Sequence, residues 1–370
     1  MGALLEPAWA LASALEHTAN YLPILHGLWV HFLTEGNLAM SVTWANQMLI
    51  AAASCGESDL EISGHRSMMA SRFWLGDLVA AQRHATTIMA TYDAVRHRHI
   101  ADRTNNDPRT MVGIYGSHFL WMLGYPDQAM RECDDKNAHA RRRNHPFDLG
   151  FALTLGSHAF DYCGDSGRLE RSGDEAEQVG RERGVSLMSE IMAPLVKGVA
   201  CLRAGRTMES IALLRMSIVR LRGTGHRIYI TYLRAVLADA VAREGNVEEG
   251  LDLLEESLRQ IAIQGERVHL AEVLRLKGWM LYRQGHAEAA EVELRASLAW
   301  AREQQAKSWE LRTAATLARQ LRERGHRAEA HGLLAPLFDW FTEGFETADL
   351  VEARELLGEL NRVDQTESRT

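Results

Sequence analysis

Sixteen histidines and four cysteines make metal binding and nucleophilic catalysis the first chemistries to test in this chain. His97 and His99 flank Arg98 inside an arginine-rich stretch, Arg96 to Arg109. Two histidines at that spacing chelate best from a strand, where alternate side chains share a face. This stretch holds Asn105, Asn106, Asp107 and Pro108, which read as loop, and it offers no third ligand. HExxH is absent. His26 and His31 are five residues apart and fall on different faces of a helix. Cys163 and Asp165 lie near His158, but no Gly-x-Ser-x-Gly elbow or similar activating turn surrounds them. Cys55, Cys133, Cys163 and Cys201 lack CxxC spacing, so they frame neither zinc nor disulfides. A reducing cytoplasm is their simplest setting. The expectation is a chain with no catalytic residue, no metal and no cofactor.

Charge narrows the partners. Lys plus Arg total 41 against 49 for Asp plus Glu, a net charge of −8, which argues against a protein whose task is coating nucleic acid. Arg141, Arg142 and Arg143 form the densest basic run. They read as the solvated end of a helix, where cations meet the negative pole of the dipole. No apolar run reaches the roughly 18 residues that a membrane span needs. Gly2 to Ala14 is moderately apolar but contains Glu6 and lacks a positive flank, so it reads as a helix rather than a signal peptide. Neither direct nucleic-acid binding nor a membrane partner is expected.

The elements that position these residues follow from a repeat. Gly205, Gly245, Gly285 and Gly325 are 40 residues apart, as are Gly36 and Gly76. Gly124 precedes Gly205 by 81, which leaves room for a degenerate copy near 157–190. The step from Gly76 to Gly124 is 48, an excess that falls in a loop insertion near 96–109. Five residues after these glycines stand Ser41, Ala81, Ala129, Ser210, Gly250, Ala290 and Ala330. Seven before them stand Ser117, Gly198, Ala238, Gly278 and Ala318, with Trp29 and Met69 breaking the rule in the first two copies. An amphipathic stretch flanks each glycine on both sides, for example Leu270, Val273, Leu274 and Leu281 ahead of Gly285. The glycine therefore ends one helix, and the small residues mark where it crosses the next.

This pattern resembles the tetratricopeptide repeat, lengthened from its usual 34 residues and without its closing proline. We read an all-α, tetratricopeptide-like solenoid of about eight helix pairs with a period near 40 residues. It is one repeat domain over 1–361 with a disordered tail over 362–370. Leu333, Leu334, Leu337, Trp340 and Phe341 form an apolar face before Gly344, and a capping helix, Leu350 to Leu360, follows. Asp349 and Glu352 are expected to box its start. Trp9, Leu11 and Leu15 begin the chain as a second helix without its first, which implies that something covers that end. Trp44, Trp74, Trp121, Trp279, Trp300 and Trp309 are expected mostly as core. The first helix of each pair should line the concave face. This nominates Tyr232 and Asp239, then Glu272, Arg275, Trp279 and Tyr282, then Arg312 and Arg319 as a partner-binding groove. Their mixed polarity suits a protein or peptide. Reversing the charge of both Arg275 and Arg312 is expected to leave the fold intact and to weaken partner binding, and early melting of that double variant would count against the groove.

A second resemblance is wider. The block WFTEGFETADL (Trp340 to Leu350), with GERVHLAEVLRLKGWML (Gly265 to Leu281), LGYPDQAM (Leu123 to Met130) and NHPFDLGFAL (Asn144 to Leu153), is similar to the C-terminal repeat region of large bacterial signalling proteins. There a class III adenylate/guanylate cyclase domain, or a winged-helix DNA-binding domain, precedes a STAND-type ATPase. No GxxxxGK[ST] phosphate loop occurs here, so none of that chemistry transfers to a residue of this chain. The resemblance implies a non-catalytic, cytoplasmic interaction or sensor arm in signal transduction, partnered by a protein or peptide or by an ATPase or cyclase domain in cis or in trans. The arm of a bacterial transcription regulator is the alternative, and a cryptic helical metal-dependent hydrolase is a third reading.

Overall fold

The computed structural model describes residues 2–15 and 18–362. Among these residues every regular element is helical. Helix α1 (Gly2–Ala14) precedes α2 (Tyr21–Thr34) and α3 (Leu38–Cys55), then α4 (Ser58–Leu75) and α5 (Leu78–Thr91). A short α6 (Ile100–Thr104) sits in the connection to α7 (Pro108–Met122) and α8 (Pro126–Arg143). The fourth pair opens in two pieces, α9 (Pro146–Leu153) and α10 (His158–Tyr162), before α11 (Ser166–Arg183). The fifth opens with a π turn at Met188–Met192 running into α12 (Ala193–Arg203), followed by α13 (Thr207–Gly223). Three regular pairs follow: α14 (Ile230–Arg243) with α15 (Val247–Gln264), α16 (Leu270–Arg283) with α17 (Ala287–Glu303), and α18 (Lys307–Glu323) with α19 (Arg327–Phe338). Helix α20 (Ala348–Arg362) closes the array, and 363–370 of the expected tail lie outside the described residues. This is a tetratricopeptide-like α-solenoid.

Local chemistry explains the pairing. Gly36, Gly76, Gly124, Gly164, Gly205, Gly245, Gly285 and Gly325 all adopt left-handed backbone, with φ between +75° and +101°. The next residue is Asn37, Asp77, Asp165 or Asn246 in four copies, and its side chain caps the following helix by accepting a backbone N–H three residues on. The small positions are where the paired helices touch. A Cβ on Gly278 would lie 2.7 Å from Leu294 Cγ and 2.9 Å from the Ala290 carbonyl. Ser41, Ala81, Ala129, Ser210, Ala290 and Ala330 are fully buried. Left-handed residues also follow six of the eight second helices, at Gly56, Asn144, Gly184, Gly225, Gly265 and Gln305.

The solenoid closes on itself after five copies. Thr34 O accepts from Arg227 N (2.7 Å), Trp74 O from Arg267 N (2.9 Å), and Trp121 O from Ser308 Oγ (2.5 Å). Gln128 and Asp127 reach Glu343 and the Gly344 N–H in the same way. Copies one to three thus stack on copies six to eight and on the start of the cap. An aromatic column fills the axis between the two turns: Trp121 stacks on Tyr162 and meets Trp309 edge-on, both at 4.7 Å, and Tyr232 stacks on His269 at 4.3 Å. His118 donates to Leu155 O (2.7 Å), His269 bonds Tyr162 Oη (3.1 Å), and His158 bonds Tyr229 Oη. Burial, reinforced by neighbouring histidines or Arg203, lowers His118 to about 3 and His158 to about 4, so these rings are neutral.

Glu266 stands at the same seam. It is 1% exposed, and its Oε1 accepts from Tyr229 N (2.9 Å) and Thr231 Oγ1 (2.7 Å). Its second oxygen has no partner. Burial pushes this carboxyl up to about 8.

The two ends differ from expectation in detail. Trp9 of α1 meets Tyr21 edge-on at 5.0 Å, but Leu11 and Leu15 are 62% exposed and share no packed face with it. Asp349 and Glu352 do not box the start of α20. Both reach across to arginines of α18, because that helix offers full charges where the cap offers only N–H groups.

Candidate functional site

Arginine recurs two residues before three successive repeat glycines, at Arg203, Arg243 and Arg283, and Glu323 holds that place in the next copy. These four face one another around a cavity of about 730 Å³. The first helices of copies four to eight supply its wall, and α20 closes it. Seven of the eight nominated groove residues line it: Asp239, Glu272, Arg275, Trp279, Tyr282, Arg312 and Arg319. The nominations come from two positions of the repeat, thirteen and six before the glycine, with Arg275 and Tyr282 added. Successive copies carry those positions to the same concave face because the period brings each first helix into equivalent orientation.

Tyr232 is placed elsewhere. It is 2% exposed, stacked on His269, and donates from Oη to Asp161 Oδ2 at 2.9 Å. It supports the floor from behind. Asp161, Arg203, Arg243, Gln320, Asp349 and Glu352 line the cavity as well, and the sequence reading passed over them as site residues. The arginine column two before the glycine was the available signal. Asp161 was hidden because its helix is broken at Thr154 and does not share the regular pattern.

The floor is a chain of paired charges. Arg203 grips Asp161 through Nε (2.6 Å) and Nη2 (3.4 Å) and touches Asp239 at 3.5 Å. Arg243 bonds Asp239 twice, at 2.8 and 3.1 Å. Arg275 bonds Glu272 twice, at 2.7 and 2.8 Å. Arg312 bonds Asp349 twice, at 2.9 and 2.7 Å, and donates to Tyr162 O at 3.3 Å. Its guanidinium lies between Trp121 and Trp309, about 5 Å from each ring. Burial opposes the charge on Arg203 and Arg312, but the carboxylates beside them more than offset it and hold both well above the ordinary range. Arg312 is therefore tied into the fold through its contact with the preceding superhelical turn, which bears on the expectation that its reversal, with that of Arg275, spares the fold and weakens only partner binding.

The rim is more open. Trp279 is partly exposed with Arg283 over its ring at 5.1 Å, Tyr282 donates to Glu323 at 2.9 Å, and Arg319 pairs with Glu352. The wall holds six arginines and six carboxylates. Near it, burial pushes the Cys163 thiol far up, aided by Asp349, which is the opposite of an activated nucleophile.

The other residues weighed for chemistry are engaged structurally. His97 is buried against Ser58 and the Asp93 N–H, and His99 pairs with Asp59. Buried His26 accepts from Arg66 at 2.9 Å. Arg141 binds Glu175, and Arg143 lies 3.5 Å from both Asp107 and Asp148. No helix of the described residues is long and apolar enough to cross a membrane.

No protein-family model matches the sequence, and no curated protein does. Solved structures do match. A Rap protein complexed with Competence and Sporulation Factor aligns over 96% of this chain and 99% of its own, at 9% identity and TM-score 0.60. The Cut9–Hcn1 hetero-tetramer of the APC/C aligns over 91% of this chain and 55% of its own, at 11% identity and TM-score 0.56. The Rap conjugation gene regulator of plasmid pLS20, in complex with a Phr peptide, aligns over 94% and 96%, at 12% identity and TM-score 0.50. At these identities the likeness is one of fold.

Proposed function

We propose that this chain is a regulatory interaction module that holds a short peptide segment of a partner in the cavity enclosed by copies four to eight. The observation that carries the reading is the cavity itself: five successive copies and the cap converge on about 730 Å³ with an aromatic side chain and both signs of charge at its rim. The two Rap structures that share the fold are complexes with a factor or a peptide, which supports a peptide-sized ligand here. The response to binding is a change in packing between superhelical turns, since the floor arginine Arg312 also contacts the previous turn at Tyr162. The likeness of the WFTEGFETADL block to cyclase and STAND ATPase arms supports a signalling ATPase or cyclase as the element that reads that change, in the cytoplasm.

The test is equilibrium dialysis of the purified chain against a pool of short synthetic peptides of random sequence, read by mass spectrometry. Retention of a subset, weakened about tenfold or more by Trp279→Ala at unchanged melting temperature, is the expected result. A wild-type chain that enriches no peptide, or a Trp279→Ala variant that retains the same subset equally well, refutes it.

A further inference from the structure

Gln320 is the side chain of the cavity wall whose polar atoms are both buried and without a partner. It sits on α18 one residue after Arg319, lines the cavity, and is 4% exposed. Neither its amide nitrogen nor its amide oxygen has a hydrogen-bond partner. A buried carboxamide with both ends unpaired destabilises the free protein, whereas a leucine of similar size would not. The surrounding groups do not share this property. Five of the six wall arginines already bind a carboxylate: Arg203, Arg243, Arg275, Arg312 and Arg319.

That contrast selects the ligand. A nucleotide or other polyanion needs surplus cation, and the wall has equal numbers of arginines and carboxylates, most of them paired. A carboxamide presents one acceptor and two donors, the complement of a peptide group with its N–H and C=O. Gln320 lines the cavity on flexible side-chain torsions, and use of its amide by a ligand requires a change of rotamer from the wall toward the cavity. We propose that Gln320 reads the main chain of a short extended peptide, and that its unpaired state in the free protein is the cost that binding relieves. The proposal rests on the peptide-binding reading and adds to it the group that is recognised, the backbone rather than a side chain.

The experiment compares the full chain with Gln320→Leu and Gln320→Asn, using the same random pool of short peptides, a pool with N-methylated backbones, and ATP as the polyanion probe. The wild type is expected to enrich ordinary peptides and to lose them when their backbones are N-methylated. Gln320→Leu is expected to melt higher without ligand and to bind about tenfold or more weakly. Gln320→Asn, which keeps the amide on a shorter arm, should fall between. Equal retention by Gln320→Leu, or retention of N-methylated peptides, overturns the role of Gln320 and leaves peptide binding standing. Saturable binding of ATP at the cavity overturns the peptide as ligand class. Enrichment of no peptide by the wild type overturns both readings together.

Discussion

Replacing Glu266 with glutamine should flatten one limb of the protein's stability–pH profile. The carboxyl is buried at the seam between superhelical turns and sits at about 8, against 4.5 for an ordinary glutamate. The fold therefore holds a proton that the unfolded chain releases. Stability from this group is complete below pH 4.5 and is lost as pH rises through about 8. Each pH unit between those limits costs about 1.4 kcal/mol. The buried histidines act with the opposite sign. Their folded values lie below 6.5, so they remove stability only as pH falls below that point. The interval from pH 6.5 to 8 isolates the carboxyl. Across it, the wild type should lose about 1.5 kcal/mol that Glu266→Gln does not lose. Glutamine keeps an oxygen for Tyr229 N and Thr231 Oγ1, so the fold is retained. Urea denaturation followed by circular dichroism at several pH values in that interval measures the difference. Parallel profiles for the two proteins would refute the assignment of a protonated carboxyl at the seam.

Two further outcomes follow from the packing. Arg312→Glu should destabilise by about 3 kcal/mol or more, because it leaves Asp349 facing a like charge and removes the donor to Tyr162 O. Arg275→Glu, whose partner Glu272 lies on the same helix, should cost clearly less, and comparison of urea midpoints distinguishes them. Gly285→Leu should cost about 1–2 kcal/mol from a backbone at φ +86°, since nothing beyond the adjoining residues lies within 4 Å of the new Cβ. A melting temperature equal to wild type would mean that the turn relaxes.

The repeat was legible because its signal is steric and local. Left-handed glycines recur in every copy and small crossing residues in most, as geometry demands, and Gly278 shows how little room they leave. Seven of the eight nominated residues share one cavity wall, since equivalent repeat positions map to one face. Long-range pairing was not. Nothing near Arg312 in sequence announces Asp349 or the carbonyl of Tyr162, and Asp349 with Glu352 fits a capping box equally well on local grounds. Tyr232 obeyed the column rule yet was drawn behind the floor by Asp161 and His269, which belong to other copies. The second series of left-handed positions was obscured by Asn144 and Gln305, which adopt φ +53° and +58° without being glycine.

The seam also limits how this protein can change length. An open array of helix pairs gains or loses a copy at modest cost, because each copy touches only its neighbours. Here the carbonyls of Thr34, Trp74 and Trp121 each accept from a set place in the turn above, Trp74 from both Arg267 N and Val268 N. Duplicating or deleting a copy between the third and the sixth slides every one of those pairs by one step. The carbonyls would then meet the wrong loops, and the aromatic column would lose its registry. The number of copies in that span is thus part of the structure's specification, much as the number of staves is for a barrel, while copies added at either end would leave the seam untouched.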